Sequence, residues 1–167
     1  MPNKTALVTG ASEGIGAEFI QILAARGYDL ILVARSEDKL NRLAAKAETE
    51  FNIKCTVIVA DLSQSKAAHN LFQRVHELSL DVNFLVNNAG LLKNGFFTEL
   101  SLEEQEKMIA VNVIALTSLT HLFANYMASK DGGYILNVAS LAGWMAIPNQ
   151  NVYAATKAYV LAFTQAL

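Results

Sequence analysis

The sequence predicts an α/β protein with a doubly wound, mostly parallel sheet in a three-layer sandwich, and three observations carry that prediction. Short apolar runs alternate with longer stretches of helical periodicity, which is the pattern of successive βαβ units. Runs such as Leu30-Ile-Leu-Val-Ala34 are apolar throughout instead of alternating, as in strands covered by helices on both faces. The first apolar run leads straight into a glycine cluster, Thr9-Gly-Ala-Ser-Glu-Gly-Ile-Gly16, at a strand-to-helix seam.

The elements follow in order. A strand at 5–9 ends at the cluster, and a helix over 14–26 stops at Gly27, a residue suited to a helix C-terminus. A strand at 29–34, a helix at 37–51, a strand at 54–60 and a helix at 64–79 complete two further units. The strand at 82–87 runs into Asn87-Asn-Ala-Gly90, and a long helix over 102–129 starts at a capping box, Ser101 with Glu104. A strand at 133–139 and a helix at 152–167 close the pattern, giving about five strands. No repeat or linker interrupts residues 1–167, so a single domain is expected, of a length that supports a sizeable core. The final helical pattern reaches Leu167 without a capping glycine or a charged last turn. The last strand should therefore be an open sheet edge, with apolar residues on it and on the final helix uncovered.

Composition narrows the function classes. Apolar residues make up 53% and charged residues 17%, which excludes disorder. A net charge of −2 gives no electrostatic reason to expect nucleic acid or an anionic membrane as partner. Cys55 is the only cysteine, so neither a disulfide framework nor a metal set can be built on it, and it reads as a buried structural thiol. Residues 1–5 enter the first strand directly, with no signal peptide, and no apolar run approaches the ~18 residues of a membrane span, so a soluble cytoplasmic protein is expected. His69, His76 and His121 fall in helical patterns away from the glycine cluster and receive no chemistry.

Glycines at a strand-to-helix seam let backbone N–H groups approach a pyrophosphate at the helix N-terminus. The spacing here is GxxxGxG, not GxGxxG, and a cluster of this kind by itself is more often a tight turn than a cofactor site. A distant pair raises its meaning. Tyr153 and Lys157 lie one helical turn apart and share a face. A cation held beside a phenol favours the phenolate and makes it a usable acid or base. Tyr126 and Lys130 have the same spacing but precede the fifth strand, at the opposite edge of the sheet from the glycine loop. Only the Tyr153 pair follows the carboxyl end of a strand, where such sheets bind ligands, and Ser140 stands at that end. Asn112, in Ala110-Val-Asn-Val-Ile114, fits a backbone-bonding asparagine as well as a site residue.

Taken together, Thr9-Gly-x-x-x-Gly-x-Gly16, Asn87-Asn-Ala-Gly90, Asn112, Ser140 and Tyr153-x-x-x-Lys157 resemble the short-chain dehydrogenase/reductase family over the whole chain. That resemblance implies a Rossmann-type sheet and hydride transfer between a nicotinamide cofactor and a carbonyl or secondary alcohol of a small molecule. Tyr153 would be the general acid/base and Lys157 would lower its pKa and hold the nicotinamide ribose. Ser140 would orient the substrate oxygen, and Asn112 would hold a water in the proton relay. The cofactor would lie along Gly10, Ser12, Gly14, Ile15, Gly16, Arg35, Asp61, Leu62, Asn88, Ala89 and Gly90, together with Tyr153 and Lys157. Asp61 fits either an adenine contact or the N-cap of the following helix. Asn87-Asn-Ala-Gly90 fits either a cofactor wall or a strand-ending turn.

Arg35 follows the second strand where an aspartate would grip a ribose 2′-hydroxyl, which favours NADP over NAD. Glu13 opposes this, because NADP-preferring relatives often carry a basic residue before the middle glycine. Family members also continue past the Tyr/Lys helix with two further strands and a mobile substrate-binding segment. The chain thus resembles the N-terminal two-thirds of the family, which leaves a second class of function: an inactive nucleotide-binding or interaction module. Trp144 and Met145 read as an apolar pocket wall or as core. Uncovered apolar helices predict a homodimer or homotetramer.

Overall fold

The computed structural model describes residues 4–130 and 132–167; the expectation for residues 1–3 lies outside them. Five strands, β1 (Thr5–Thr9), β2 (Asp29–Ala34), β3 (Cys55–Val59), β4 (Val82–Asn87) and β5 (Tyr134–Asn137), form one sheet in the order β3-β2-β1-β4-β5. Every pairing is parallel. The winding direction reverses between β1 and β4, and at that switch point the strand ends diverge into a crevice.

Apolar runs become central strands because both faces are covered. Ala6, Val8, Leu30 and Leu32 pack on one side with Ile20 and Leu23 of α1 (Gly14–Ala25) and Leu40 of α2 (Glu37–Phe51). Leu7, Ile31, Val33 and Leu85 alternate to the other side. There they meet Leu71 and Val75 of α3 (Ala67–Glu77) and Leu119 and Phe123 of α5 (Leu116–Ala128). The three layers expected from the sequence are present.

Three elements depart from expectation by more than a residue at an end or in their middle. The fourth helix is one helical run over Leu102–Ala128, but its middle widens into a π segment, Ala110–Ala115, between α4 (Leu102–Ile109) and α5. Its start is the expected capping box: Ser101 Oγ accepts from Glu104 N, and the Glu104 carboxylate accepts from Ser101 N. α3 begins at Ala67, not 64, because Asp61 draws Ser63 and Gln64 into a turn of their own and Lys66 sits in a left-handed conformation (φ 60°). Asp61 therefore does not cap α3. β5 is shorter than 133–139, and its continuation past Asn137 enters the loop to a short 3-10 turn, Leu141–Gly143, before α6 (Asn151–Ala166).

Contrary to the sequence expectation, one run of the described residues is long and apolar enough to cross a membrane. Leu102–Ala128 spans 27 residues with a mean hydropathy of 1.5 over its most apolar window, of which 44% is buried. Its apolar side chains serve the core: Leu116, Leu119, Phe123 and Met127 are buried beneath the sheet. β5 is an outer strand, as expected, with Tyr134 on it 67% exposed.

Candidate active site

The glycine loop is shaped by contacts that exclude side chains. Gly10 has φ +64°, and a Cβ on it would lie 2.8 Å from Ala89 Cα. Gly16 opens α1 directly against the Gly10 carbonyl, where a Cβ would overlap the oxygen. Gly14 differs: its φ is +57° and the space around it is open, so the loop presents bare backbone outward.

This loop is stitched to the end of β4. Thr9 Oγ1 accepts hydrogen bonds from Asn88 N and Ala89 N, both at 3.0 Å, and donates to Val86 O. Asn88 Nδ2 donates to Thr9 O and Gly10 O at 3.0 and 3.1 Å. Asn87 points the other way, donating to Thr120 Oγ1 and Asn137 Oδ1, so it braces β4 to α5 and β5. The Asn87-Asn-Ala-Gly90 segment thus ends β4 in a turn that braces the sheet on one side and the glycine loop on the other. Thr9 was not singled out; its place ahead of the glycine cluster was the only signal.

Between loop and strand ends lies a cleft of about 400 Å³. It is lined by Gly10, Ser12, Ile15, Arg35, Asp61, Leu62, Asn88, Ala89 and Gly90, all expected cofactor contacts. Gly14, Gly16, Tyr153 and Lys157 are not part of its lining. Lys39 and Glu13, which are, form an ion pair that sequence reading missed, with Nζ and Oε2 2.5 Å apart. Burial pushes the Asp61 carboxyl up, but hydrogen bonds from Ser63 and Gln64 outweigh it and hold the group below its ordinary range.

The second half of the site is built on α6. Lys157 is 4% exposed, and its Nζ donates to Val138 O at 2.7 Å, just past β5. Burial pulls its ammonium pKa down. The same nitrogen lies 5.9 Å from the Tyr153 ring centre, so the two side chains share a face as the spacing predicted. Thr156 locks the first turn of α6: its Oγ1 donates to Tyr153 O and accepts from Asn112 Nδ2.

Asn112 is fully buried in the π segment and is spent on the protein itself. Its Nδ2 also donates to Leu91 O, while Oδ1 accepts from Leu91 N at 2.8 Å. Both amide hydrogens are used, so the side chain is a backbone-bonding asparagine that ties the β4 exit loop to α6. Gly90 closes the gap between the two halves: a Cβ there would stand 3.5 Å from Asn112 Oδ1 and 3.6 Å from Lys157 Nζ. The cleft and the Tyr153 pair therefore meet at Gly90.

Ser140 precedes the 3-10 turn and its Oγ accepts from Ala142 N at 3.2 Å, which leaves the hydroxyl hydrogen available to another acceptor. Gly143 lets this turn lie on α6: a Cβ would come within 2.7 Å of Lys157 C and O. Tyr126 does stand at the other end of the sheet, where its hydroxyl donates to Asp81 Oδ1 at 2.6 Å. Burial first, then that carboxylate, pushes the phenol up to about 12, the reverse of what an acid/base at neutral pH needs.

The parallel sheet, the glycine loop and the cleft at the winding switch define a Rossmann-type α/β protein, with the Tyr153-Lys157 pair reaching the cleft at Gly90. More specifically, the chain belongs to the short-chain dehydrogenase family, an oxidoreductase family that binds nicotinamide cofactors, whose model matches residues 4–167. It is 34% identical to a 7β-hydroxysteroid dehydrogenase of Collinsella aerofaciens, covering 96% of this chain and 60% of that one. It is 37% identical to a very-long-chain 3-oxoacyl-CoA reductase of Pyrenophora tritici-repentis, covering 97% of this chain and 49% of that one. A short-chain dehydrogenase from Sphingobium yanoikuyae, solved in complex with NADPH, superposes with a TM-score of 0.92 at 36% identity over 98% of this chain and 64% of that one. The chain thus spans about half to three-fifths of the length of these curated relatives.

Proposed function

We propose that this chain carries the cofactor half and the acid/base residues of an NADP-dependent oxidoreductase that interconverts a carbonyl and a secondary alcohol. The observation that carries the reading is the meeting of cleft and Tyr153-Lys157 pair at Gly90. The residues fit the cofactor: the glycine loop, where Gly10 lines the cleft and has no room for a side chain, suits a pyrophosphate, and Arg35, which makes no ion pair within 4 Å among the described residues, suits a 2′-phosphate. The NADPH complex of the Sphingobium relative supports the same cofactor. When bound, the reduced nicotinamide supplies a hydride to the carbonyl carbon.

The chain's residues then handle the oxygen and the proton. Ser140 Oγ–H donates to the carbonyl oxygen and polarises it. Tyr153 Oη–H gives its proton to that oxygen as charge develops there; in the reverse direction the phenolate takes it back. Lys157, anchored on Val138 O, keeps a positive charge beside the phenol and favours its ionised form. Asn112 and Thr156 position Tyr153 without touching the reactants.

The test is NADPH oxidation with a panel of ketones. Tyr153→Phe is expected to lower turnover by about 10²-fold or more while leaving NADPH affinity within about twofold. Turnover unchanged by that substitution sinks the catalytic assignment. The second reading, a module that binds nucleotide without turnover, draws on the exposure of the loop beside Ser140, where Leu141 is 79% and Trp144 72% exposed. NADPH binding seen as a change in Trp144 fluorescence, with no turnover of any ketone, is its expected signature.

A further inference from the structure

The charged residues lining the cleft are Glu13, Arg35, Lys39 and Asp61. Asp61 is occupied by Ser63 and Gln64, while the other three gather where β2 gives way to α2. Glu13 reaches from the glycine loop and Lys39 from the first turns of α2, and their ion pair bridges the two sides of the cleft. Both side chains are half or more exposed, so the bridge is screened and readily exchanged. The Lys39 hydrogen bond first, then its charge, and more weakly Arg35, hold the Glu13 carboxyl below its ordinary range. The Glu13 carboxylate thus cancels one of two adjacent cations. Ser36, the N-cap between Arg35 and α2, makes no side-chain capping bond. Glu37 and Asp38 follow it but do not line the cleft.

We propose that Lys39 is a second 2′-phosphate ligand, held by Glu13 until a phosphate arrives, and that this pair sets how strongly the site prefers a phosphorylated ribose. The inference rests on the nicotinamide reading above. A phosphomonoester carries about −1.5 to −2 charges at pH 7 and three acceptor oxygens, more than one guanidinium can satisfy. Entering beside Arg35, it outcompetes the single carboxylate for the Lys39 ammonium, and Glu13 turns to solvent. This resolves the conflict in the sequence: a carboxylate before the middle glycine is tolerated because a cation four residues past Arg35 neutralises it.

The test measures binding. Wild type, Glu13→Gln, Lys39→Ala and the double variant are titrated calorimetrically with NADPH, NADH, adenosine 2′,5′-bisphosphate and 5′-AMP, at low and at high salt. Glu13→Gln is expected to tighten both 2′-phosphorylated ligands about threefold to fivefold at low salt. Lys39→Ala loses a ligand and frees the carboxylate against the phosphate, so these ligands should weaken about tenfold or more. The double variant should fall between the two, and NADH and 5′-AMP should stay within about twofold throughout, with every effect shrinking at high salt. If both nucleotides bind but neither substitution changes the NADPH-to-NADH affinity ratio, Lys39 and Glu13 have no part in the choice. If wild type binds neither, the nicotinamide reading falls first and takes this inference with it.

Discussion

Lys157 shows how one residue serves structure and chemistry together. An ammonium that is 4% exposed needs a strong acceptor, and the Val138 carbonyl just past β5 provides one at 2.7 Å. Cys55 is the opposite case, a titratable group with no task, and it is half-buried, not buried as the sequence suggested, because β3 is an outer strand of the sheet. Burial first, then the carboxylates of Glu48 and Asp29, push its thiol from 9.0 up to about 12, so it stays protonated and inert at neutral pH. The consequence for stability has a definite sign. Between those two values the folded chain keeps a proton that the unfolded chain gives up, so stability should fall as pH rises through that window and be unaffected below it. Urea unfolding at pH about 8 and about 10.5 checks this: the midpoint should drop at the higher pH, and Cys55→Ala should remove part of the drop. An equal drop in the variant assigns the slope to other groups.

Among the elements, the 3-10 turn at Leu141–Gly143 carries the most consequence for its length, since it sets Ser140 against α6. Gly143→Ala would place a methyl within 2.7 Å of the Lys157 backbone, which cannot yield as a flexible side chain can. The expected cost is about 1–3 kcal/mol in stability, and turnover should fall more steeply than NADPH affinity because the displaced groups are Ser140 and Lys157. Stability and turnover both within error of wild type would show that the turn has slack. The glycine reads in the sequence only as a loop residue, because the backbone it approaches lies fourteen positions away. The same holds elsewhere. Strand and helix spans that depend on local apolar pattern, such as β1, β2 and α2, were legible to the residue. Features set by distant partners were not, such as the π segment that holds Asn112, bonded to Leu91 and Thr156; the late start of α3 has a local cause instead, the turn that Asp61 makes with Ser63 and Gln64. The Glu13-Lys39 pair lay hidden because only the sheet brings the glycine loop to α2.

At the scale of the molecule, the parallel order β3-β2-β1-β4-β5 collects every proposed site residue at the carboxyl ends of the strands, and the helices that support the site also present an outer face. Thr117 of α5 hydrogen-bonds the Tyr159 hydroxyl of α6 at 2.9 Å, and Tyr159 stacks on Phe163 with ring centres 5.6 Å apart, which joins the two helices into one surface. Ile114 stands one turn before Thr117, 59% exposed, and Ile109 is 41% exposed. A two-fold axis would bury such an apolar face of two helices against its own copy, so we expect two copies of the chain to pair through it, as a dimer or as the dimer unit of a tetramer. Light scattering after gel filtration should then give a mass of two or four chains. Ile114→Glu would place a charge in the contact twice, once from each copy, and should weaken association by about 10²-fold with little loss of fold, because the side chain is already exposed in the single chain. A mass of one chain for wild type across about a hundredfold concentration range would rule the pairing out, and an Ile114→Glu variant that still associates would move the contact to another face.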